Sequence, residues 1–569
     1  MTYFFASKKH LFILASLIVL ASFLIFFRLD RHDMLSDDAH YAFRSIGYFD
    51  FMTSNNQTTP VQWFGFRPWW SYLSFHDHPP LFFFLQNLLF KIFGVSVFVS
   101  RLLSALAALG SVFLIFFITK LISNYYSALI ATAALSVNCY FLWTSRIGLL
   151  ESCFTFFLLL GLLFFIKSIL NKKFFPLAGL FFGLSLLVKY TFFPVAFSLL
   201  LFLLIKKREV FFQKEFWIGL LIFFLISSPI LIYNLKMYQE RGHFDVQLTA
   251  LFHQSKTDWP ILSGNTSFNF SPSSLFHTLG LGLSWPYLFF SLLSFFTILI
   301  FSLREKLNLI WPPIFIFLSF ILFFSFIGSA ERWLGVISPF FALIIGFSFH
   351  LLHRWSKNTS FIFLSLFIPI SVYSLLYSFN TNHAIAAPKN NWLYSTNLRL
   401  ENYGYNELDK EITKLLYEKK PNKKTTEVVN MLWYKNINPL SINFPSLSNK
   451  NFEEFSPLII FDSNTKWFPA MWVFEKWKFY HRFPISFSNE FLAIMNSPIG
   501  TELINSTSFT DLYFIESTVT SENNPNKTYA GTKLILENLN NNNIQPEIIY
   551  NNQKKPAFYI YHAKNPSFN

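Results

Sequence analysis

KKHLFILASLIVLASFLIFFRLDRHDMLSDDAHYAFRSIGYF, residues 8–49, places an apolar run from Leu11 to Phe27 behind Lys8 and Lys9 and ahead of a polar segment carrying the adjacent carboxylates Asp37 and Asp38. No small-x-small cleavage site precedes Arg28, so the run reads as an uncleaved membrane anchor. Ten further apolar runs follow, near 98–119, 125–143, 152–170, 174–188, 190–205, 216–233, 281–303, 309–327, 334–352 and 360–378. With the anchor they predict about eleven transmembrane helices, the pair 174–188 and 190–205 being short. Composition points the same way. Charged residues are 13% of 569 and hydrophobic ones 53%, with 78 Phe, and the mean hydropathy is +0.39. A soluble surface needs about twice that charge, ~25%. The two cysteines, Cys139 and Cys153, lie in apolar runs and exclude a disulfide scaffold or a Cys-based zinc cluster.

The net charge of +14 is not a nucleic-acid footprint, because the basic residues fall in alternate connections between apolar runs. Lys8/Lys9, Lys120, Lys172/Lys173, Lys206/Lys207/Arg208/Lys214, Arg304/Lys306 and Arg354/Lys357 mark those connections as cytoplasmic. Loops 28–97, 144–151, 234–280 and 328–333 then face outward, and an odd number of spans puts the tail outside too. Composition changes after about Tyr377, which divides the chain into a membrane domain, 1–379, with outer loops 28–97 and 234–280, and an extracytoplasmic domain, 380–569. In the tail, PLIIF (457–461), DLYFI (511–515), PEIIY (546–550) and AFYIY (557–561) predict strands of a small α/β domain, and LENLNNNNIQ (536–545) predicts a loop.

The outward loops hold the unusual polar residues. Asp37 and Asp38 suit a proton acceptor beside an orienting or cation-binding partner; the plainer alternative is a helix N-terminus, capped by Ser36 or Asp37, running through Tyr48. In HDHPPLFFFLQNLLFKIFG (76–94), Pro79 and Pro80 fix an extended entry into an apolar segment too short to span, and hold His76, Asp77 and His78 before it. SRIGLLESCFTFF (145–157) sets Arg146 and Glu151 at the outer ends of consecutive spans, where ionised groups need a partner, a wet cavity or a path to the headgroups. Lys189, in GLSLLVKYTFF (183–193), breaks the positive-inside pattern, either to neutralise a lipid phosphate or to snorkel. SAERWLGVISPFFALIIG (329–346) puts Glu331 and Arg332 at a span mouth, where a guanidinium suits bidentate phosphate recognition.

Taken in order, DDAHY, HPPL, RIGLLES, GLxxLxK and ERW with a proline seven residues after the arginine resemble the membrane-embedded glycosyltransferases of the GT-C type. The resemblance is closer to the protein mannosyltransferase and aminoarabinose transferase superfamily and covers residues 10–380. It implies an α-helical polytopic membrane protein, in the bacterial inner membrane, that transfers a sugar from a polyprenyl-phosphate carrier to a lipid, glycan or protein acceptor on the periplasmic face, with inversion. In that family the carboxylate pair is usually Asp-Glu and its first member is taken as the base. Asp37 matches that member, and Asp38 replaces the Glu. His40 stands where the arabinose branch often has Arg, and His78 where it often has Lys; the mannosyltransferase-like members carry His before Pro-Pro, as here. Glu151 falls at a second acidic position and Arg332 where a residue contacts the carrier phosphate.

A glycosyl phosphate already carries a good leaving group, so cations rather than a second acid assist its departure. His78, Arg146, Lys189 and Arg332 are the cations on the required side, with His40, Tyr41 and Glu331 positioning substrate and Asp37, Asp38 and Glu151 as the catalytic carboxylates. No cofactor is expected. A divalent metal held by Asp77 with His243, His253 or His277 is conceivable, but no pair has ligand spacing on a recognisable element. A transporter or flippase is the main rival, and predicts charges near span centres and a half-to-half repeat. A non-catalytic membrane scaffold is the other, and has no use for these acids and Arg332 together on one face.

Overall fold

The structure, a computed structural model, describes residues 8–52, 56–254, 258–262, 270–302, 309–426, 452–518 and 529–566. Two compact units emerge, one of Met1–Leu29 with Trp69–Arg399 and the other of Asp30–Pro68 with Leu400–Asn569.

The first unit is helical, and helices occupy each of the eleven apolar runs. Length separates them. Val97–Ile122, Leu150–Leu170, Lys214–Arg241, Glu331–Trp355 and Lys357–Asn382 are each long and apolar enough to cross a membrane. Two runs are bent pairs, Tyr125–Ser136 with Cys139–Arg146 at 60° and Pro272–Leu283 with Trp285–Phe301 at 117°. His10–Phe26, Phe192–Lys206 and Trp311–Ile327 are shorter apolar helices, and the 12 residues of Phe175–Leu186 rise only ~18 Å against a hydrocarbon core of ~30 Å. So the eleven predicted spans are helices, of which five, or seven with the bent pairs, meet the length criterion among the described residues. Local chemistry explains the bends. Asn138 ends one helix and caps the next, its side-chain oxygen accepting from Phe141 N at 2.9 Å, and Ser284, at φ +76°, turns the chain out of Pro272–Leu283. The basic connection with Arg304 and Lys306 lies outside the described residues.

Leu81–Phe93 is the predicted short apolar helix after Pro-Pro. It buries Phe82, Phe83, Gln86, Asn87 and Phe90 along one stripe, and Gln86 donates to the Ser100 carbonyl at 2.6 Å.

The second unit contains a short parallel pair, β1 (Lys419–Pro421) and β2 (Glu453–Phe455), and a five-stranded mixed sheet. That sheet comprises β3 (Pro457–Phe461), β4 (Ile485–Phe487), β5 (Asp511–Ser517), β6 (Glu547–Tyr550) and β7 (Pro556–Lys564), in the order β4-β3-β5-β7-β6. β3 runs parallel to β4 and β5, and β7 antiparallel to β5 and β6. All four predicted strands are present. LENLNNNNIQ corrects the sequence reading, because most of it belongs to the helix Ala530–Asn541. Ile535 and Leu539, four residues apart, are buried in the sheet's core with Leu458, Phe514 and Tyr561, and that apolar stripe outweighs the asparagine content.

Residues 30–68, read from composition as part of the first outer loop, pack in this second unit. The carboxylate of Asp33, fully buried, accepts from the backbone N–H groups of Tyr403, Gly404 and Asn406 at 2.6, 3.1 and 2.9 Å. It thereby caps the helix Tyr405–Leu416 from outside that helix. Burial raises its pKa against the pull of those backbone bonds. Phe43, Phe49, Phe51 and Val61 complete an apolar cluster with Met471 and Phe479.

A single π-type turn, Met471–Glu475, joins Trp467–Ala470 to Lys476–His481. Burial pushes Glu475 up to about 7 from 4.5, against the pull of Lys478, and burial together with Lys476 pushes His481 down to about 4 from 6.5. Between about pH 4.5 and 7 the folded unit holds a proton on Glu475 that the unfolded chain releases, so this group makes stability fall as pH rises. His481 acts oppositely between about 4 and 6.5, where the unfolded chain holds the extra proton. Each effect is worth ~3 kcal/mol, so between pH 4.5 and 6.5 these two groups oppose one another. Glu475→Gln should unmask a urea midpoint that rises over that interval and ends above the parent at pH 7.5. A variant that tracks the parent at every pH contradicts this, with the midpoint followed by proteolysis of the sheet.

Candidate functional site

In the second unit, Ser36 occupies the N-cap of the helix Asp37–Ile46, which places Asp37 and Asp38 in its first turn, where the helix dipole favours negative charge. The two acids differ in surroundings. Asp38 is buried, and its Oδ1 accepts from Ser36 N at 3.0 Å and Ser36 Oγ at 3.2 Å, so Ser36 orients the acid instead of capping the helix with its side chain. Asp37 is partly exposed. One turn on, His40 is buried with its ring 6.1 Å from Trp467 and 6.3 Å from Tyr41, which is also buried. The other end of the helix is anchored by Arg44, whose Nη2 meets Asp50 Oδ1 at 2.5 Å in a fully buried pair. Arg44, Asp50 and Trp467 escaped the sequence reading.

In the first unit, segments far apart in sequence converge. The turn before Pro79 is held by Phe75 N donating to the His78 carbonyl at 3.2 Å. Within it Asp77 lies between two imidazoles, with His78 Nδ1 at 3.0 Å and His76 Nδ1 at 3.8 Å. Leu81 N donates to the Leu187 carbonyl at 2.9 Å, docking the Pro-Pro corner beside Lys189. Lys189 Nζ is ion-paired with Glu151, both side chains largely buried. This explains a lysine that violates the positive-inside pattern: its charge has a fixed partner, which also supplies the compensation Glu151 needs at that depth.

Tyr190 then donates to Asp245, and Asn234 Nδ2 donates to the same Asp245 Oδ2 at 3.0 Å. Asp245 N donates back to Asn234 Oδ1 at 2.9 Å, and Val246 N donates to the His76 carbonyl at 2.8 Å. The segment 243–246 therefore ties the His76–His78 turn to the Lys189–Tyr190 corner. Burial raises the pKa of Asp245 against three hydrogen bonds, from Leu248 N, Tyr190 and Asn234. Next to it, Asp258 takes a forked contact from Arg241, at 2.8 and 2.5 Å, and a third from His243 Nε2 at 2.9 Å. Burial alone would raise Asp258, but His243 and Arg241 hold it below the usual carboxylate range. Asn234, Asp245 and Asp258 were not singled out from the sequence, and nothing local in it pairs them.

The remaining sequence candidates have other partners. Arg146 turns its guanidinium on two of the last carbonyls of the first helix, Leu24 and Ile25, at 3.1 and 2.9 Å, and on the Arg28 carbonyl just past its end at 3.1 Å, where a cation complements the helix dipole. Glu331 accepts from Asn397 at 3.2 Å, and Arg332 lies 5.6 Å over the Trp333 ring. Of the histidines weighed as metal ligands, His243 bonds to Asp258 and His277 packs 6.1 Å from Trp285.

Asp245→Ala should remove the acceptor shared by Tyr190, Asn234 and Leu248 N, at about 1–3 kcal/mol for each donor left unpaired. The expected result is faster amide exchange through 244–251, with Asp245→Asn retaining most of the protection. Unchanged exchange in the alanine variant would show that the network does not hold this segment.

Residues 77–233 match the family model described as dolichyl-phosphate-mannose-protein mannosyltransferase. Crystal structures of ArnT from Cupriavidus metallidurans match over 98% of both chains. The apo form gives a TM-score of 0.51 at 11% identity, and the form bound to undecaprenyl phosphate 0.53 at 12%. The Archaeoglobus fulgidus oligosaccharyltransferase tethered with an acceptor peptide gives 0.51 at 11%, over 99% of this chain and 74% of that one. No curated protein matches by sequence. The chain thus has the fold of the GT-C glycosyltransferases, a polytopic helical membrane protein with a C-terminal sheet domain, and the resemblance read from its motifs holds at that level.

Proposed function

We propose that this protein is an integral-membrane inverting glycosyltransferase that moves a sugar from a polyprenyl-phosphate carrier to an extracytoplasmic lipid, glycan or protein acceptor. The carrying observation is the carboxylate pair in the first turn of Asp37–Ile46, one acid locked by Ser36 and the other partly exposed, in a chain of GT-C fold. The relatives support the donor class, since one ArnT structure holds undecaprenyl phosphate. Asp37 takes the proton from the acceptor hydroxyl or amine as its lone pair forms the new bond to the anomeric carbon. The anomeric carbon–oxygen bond breaks from the opposite face and the phosphate leaves with the electron pair, so no general acid is required. Asp38 orients Asp37 and the acceptor, with His40, Tyr41 and Glu331 positioning substrate. His78, Lys189 and Arg332 stabilise the departing phosphate, and Glu151 holds Lys189 in place. Arg146 contributes positive charge while bound to backbone carbonyls. In a bacterial inner membrane these groups act on the periplasmic side.

The test is a purified assay with a panel of labelled polyprenyl-phosphate sugars, reading the anomeric configuration of the product. Inverted product from one donor is expected. A retained configuration would overturn the inverting mechanism, and carrier-lipid translocation without any transfer would favour the flippase.

A further inference from the structure

A cavity of about 170 Å³ lies between the helices Trp285–Ser302, Ser338–Trp355 and Lys357–Asn382 and is lined by none of the residues assigned above. That is comparable with the apolar cavities of about 150 Å³ that take up benzene-sized molecules. Phe290, Leu352, Phe363 and Leu366 form its walls, and Ser294 and Ser348 its small-residue floor. Both serines are buried, and neither hydroxyl has a hydrogen-bond partner among the described residues. Their helix neighbours behave otherwise, since Ser291 and Thr297 return their hydroxyls to the carbonyls of Tyr287 and Leu293 at 2.8 and 2.9 Å. The hollow opens on the apolar outer face, where Leu293 and Ile362 are exposed. Its rim is basic. Ser356 alone separates two of the helices, and the exposed Arg354 and Lys357 flank it, within two residues of the lining residues Leu352 and Thr359. Trp355, against Phe301 at 5.5 Å, marks the interfacial depth there.

We propose that this groove is a binding site for one acyl chain of an anionic glycerophospholipid whose phosphate rests on Arg354 and Lys357. An apolar hollow with two exposed cations within two residues of its lining matches that amphiphile in both charge and polarity. A zwitterionic lipid fills the hollow equally well and gains less from the rim. The bound chain also packs against Lys357–Asn382, only 22% of whose apolar window is buried, so its occupancy stabilises the last helix of the bundle.

The experiment titrates the full-length protein in detergent with palmitoyl-oleoyl phosphatidylglycerol or the matching phosphatidylcholine, counting retained lipids by native mass spectrometry and following thermal unfolding. Phosphatidylglycerol should be retained about tenfold more tightly, since each basic residue near an anionic headgroup adds a several-fold gain, and should raise the unfolding temperature. Arg354→Ala/Lys357→Ala should abolish that preference while leaving sugar transfer unchanged, and Ser294→Leu/Ser348→Leu, which fills the hollow, should lose both lipids. Retention of phosphatidylglycerol by the alanine pair at the parent level overturns the proposal, and so does stoichiometric displacement of it by undecaprenyl phosphate. The exposed alanine pair decides the matter even if the leucine pair does not fold.

Discussion

Asp37→Asn is expected to lower sugar transfer by ~10² to 10⁴-fold, the usual worth of a general base, while the affinity for the carrier-linked donor stays within about threefold. The substitution keeps the shape and the place in the first helical turn and removes only proton acceptance. Asp38→Asn keeps an oxygen able to accept from Ser36 N and Ser36 Oγ, so it should cost less. The ranking of these neighbours is the informative measurement. Near-normal turnover in Asp37→Asn alongside a dead Asp38→Asn would move the base to Asp38. Activity in both variants and in Glu151→Gln would remove acid–base chemistry at these carboxylates altogether.

Glu151→Gln should destabilise the first unit by about 3–5 kcal/mol, because it leaves the Lys189 ammonium without its counter-charge in a largely buried setting. Lys189→Met should do similar damage from the other side. The double variant Glu151→Gln/Lys189→Met removes both charges and should recover most of the stability, since replacing a buried pair is commonly far cheaper than breaking one. It should not recover transfer if Lys189 meets the leaving phosphate. Additive losses in thermal unfolding would show that the two side chains are not energetically coupled. Wild-type turnover in a stable double variant would remove Lys189 from the phosphate site.

Much of the architecture was legible because it depends on neighbours along the chain. Unbroken apolar runs became helices and four short apolar stretches became strands. Pro79 and Pro80 introduced a short apolar helix, and Ser36 with two acids began another. Backbone polar groups in lipid leave few alternatives to helix, and alternation or capping is written in adjacent residues. Bends at Asn138 and Ser284 were not visible, since a polar or small residue in an apolar run reads equally as a continuous helix.

What the buried charges meet was decided by the tertiary structure alone. Lys189 finds Glu151 across 38 residues, Arg146 finds the carbonyl of Leu24 across 122, and Asp33 caps a helix 370 residues away. Asp245 gathers Tyr190 and Asn234 in the same way. An ionised or polar group taken out of water must be compensated, so the sequence by itself determined that partners would exist for these residues. Which partner each received was settled by helix packing that brings distant positions within hydrogen-bond reach, because compensation acts over a few ångströms of space and is indifferent to distance along the chain.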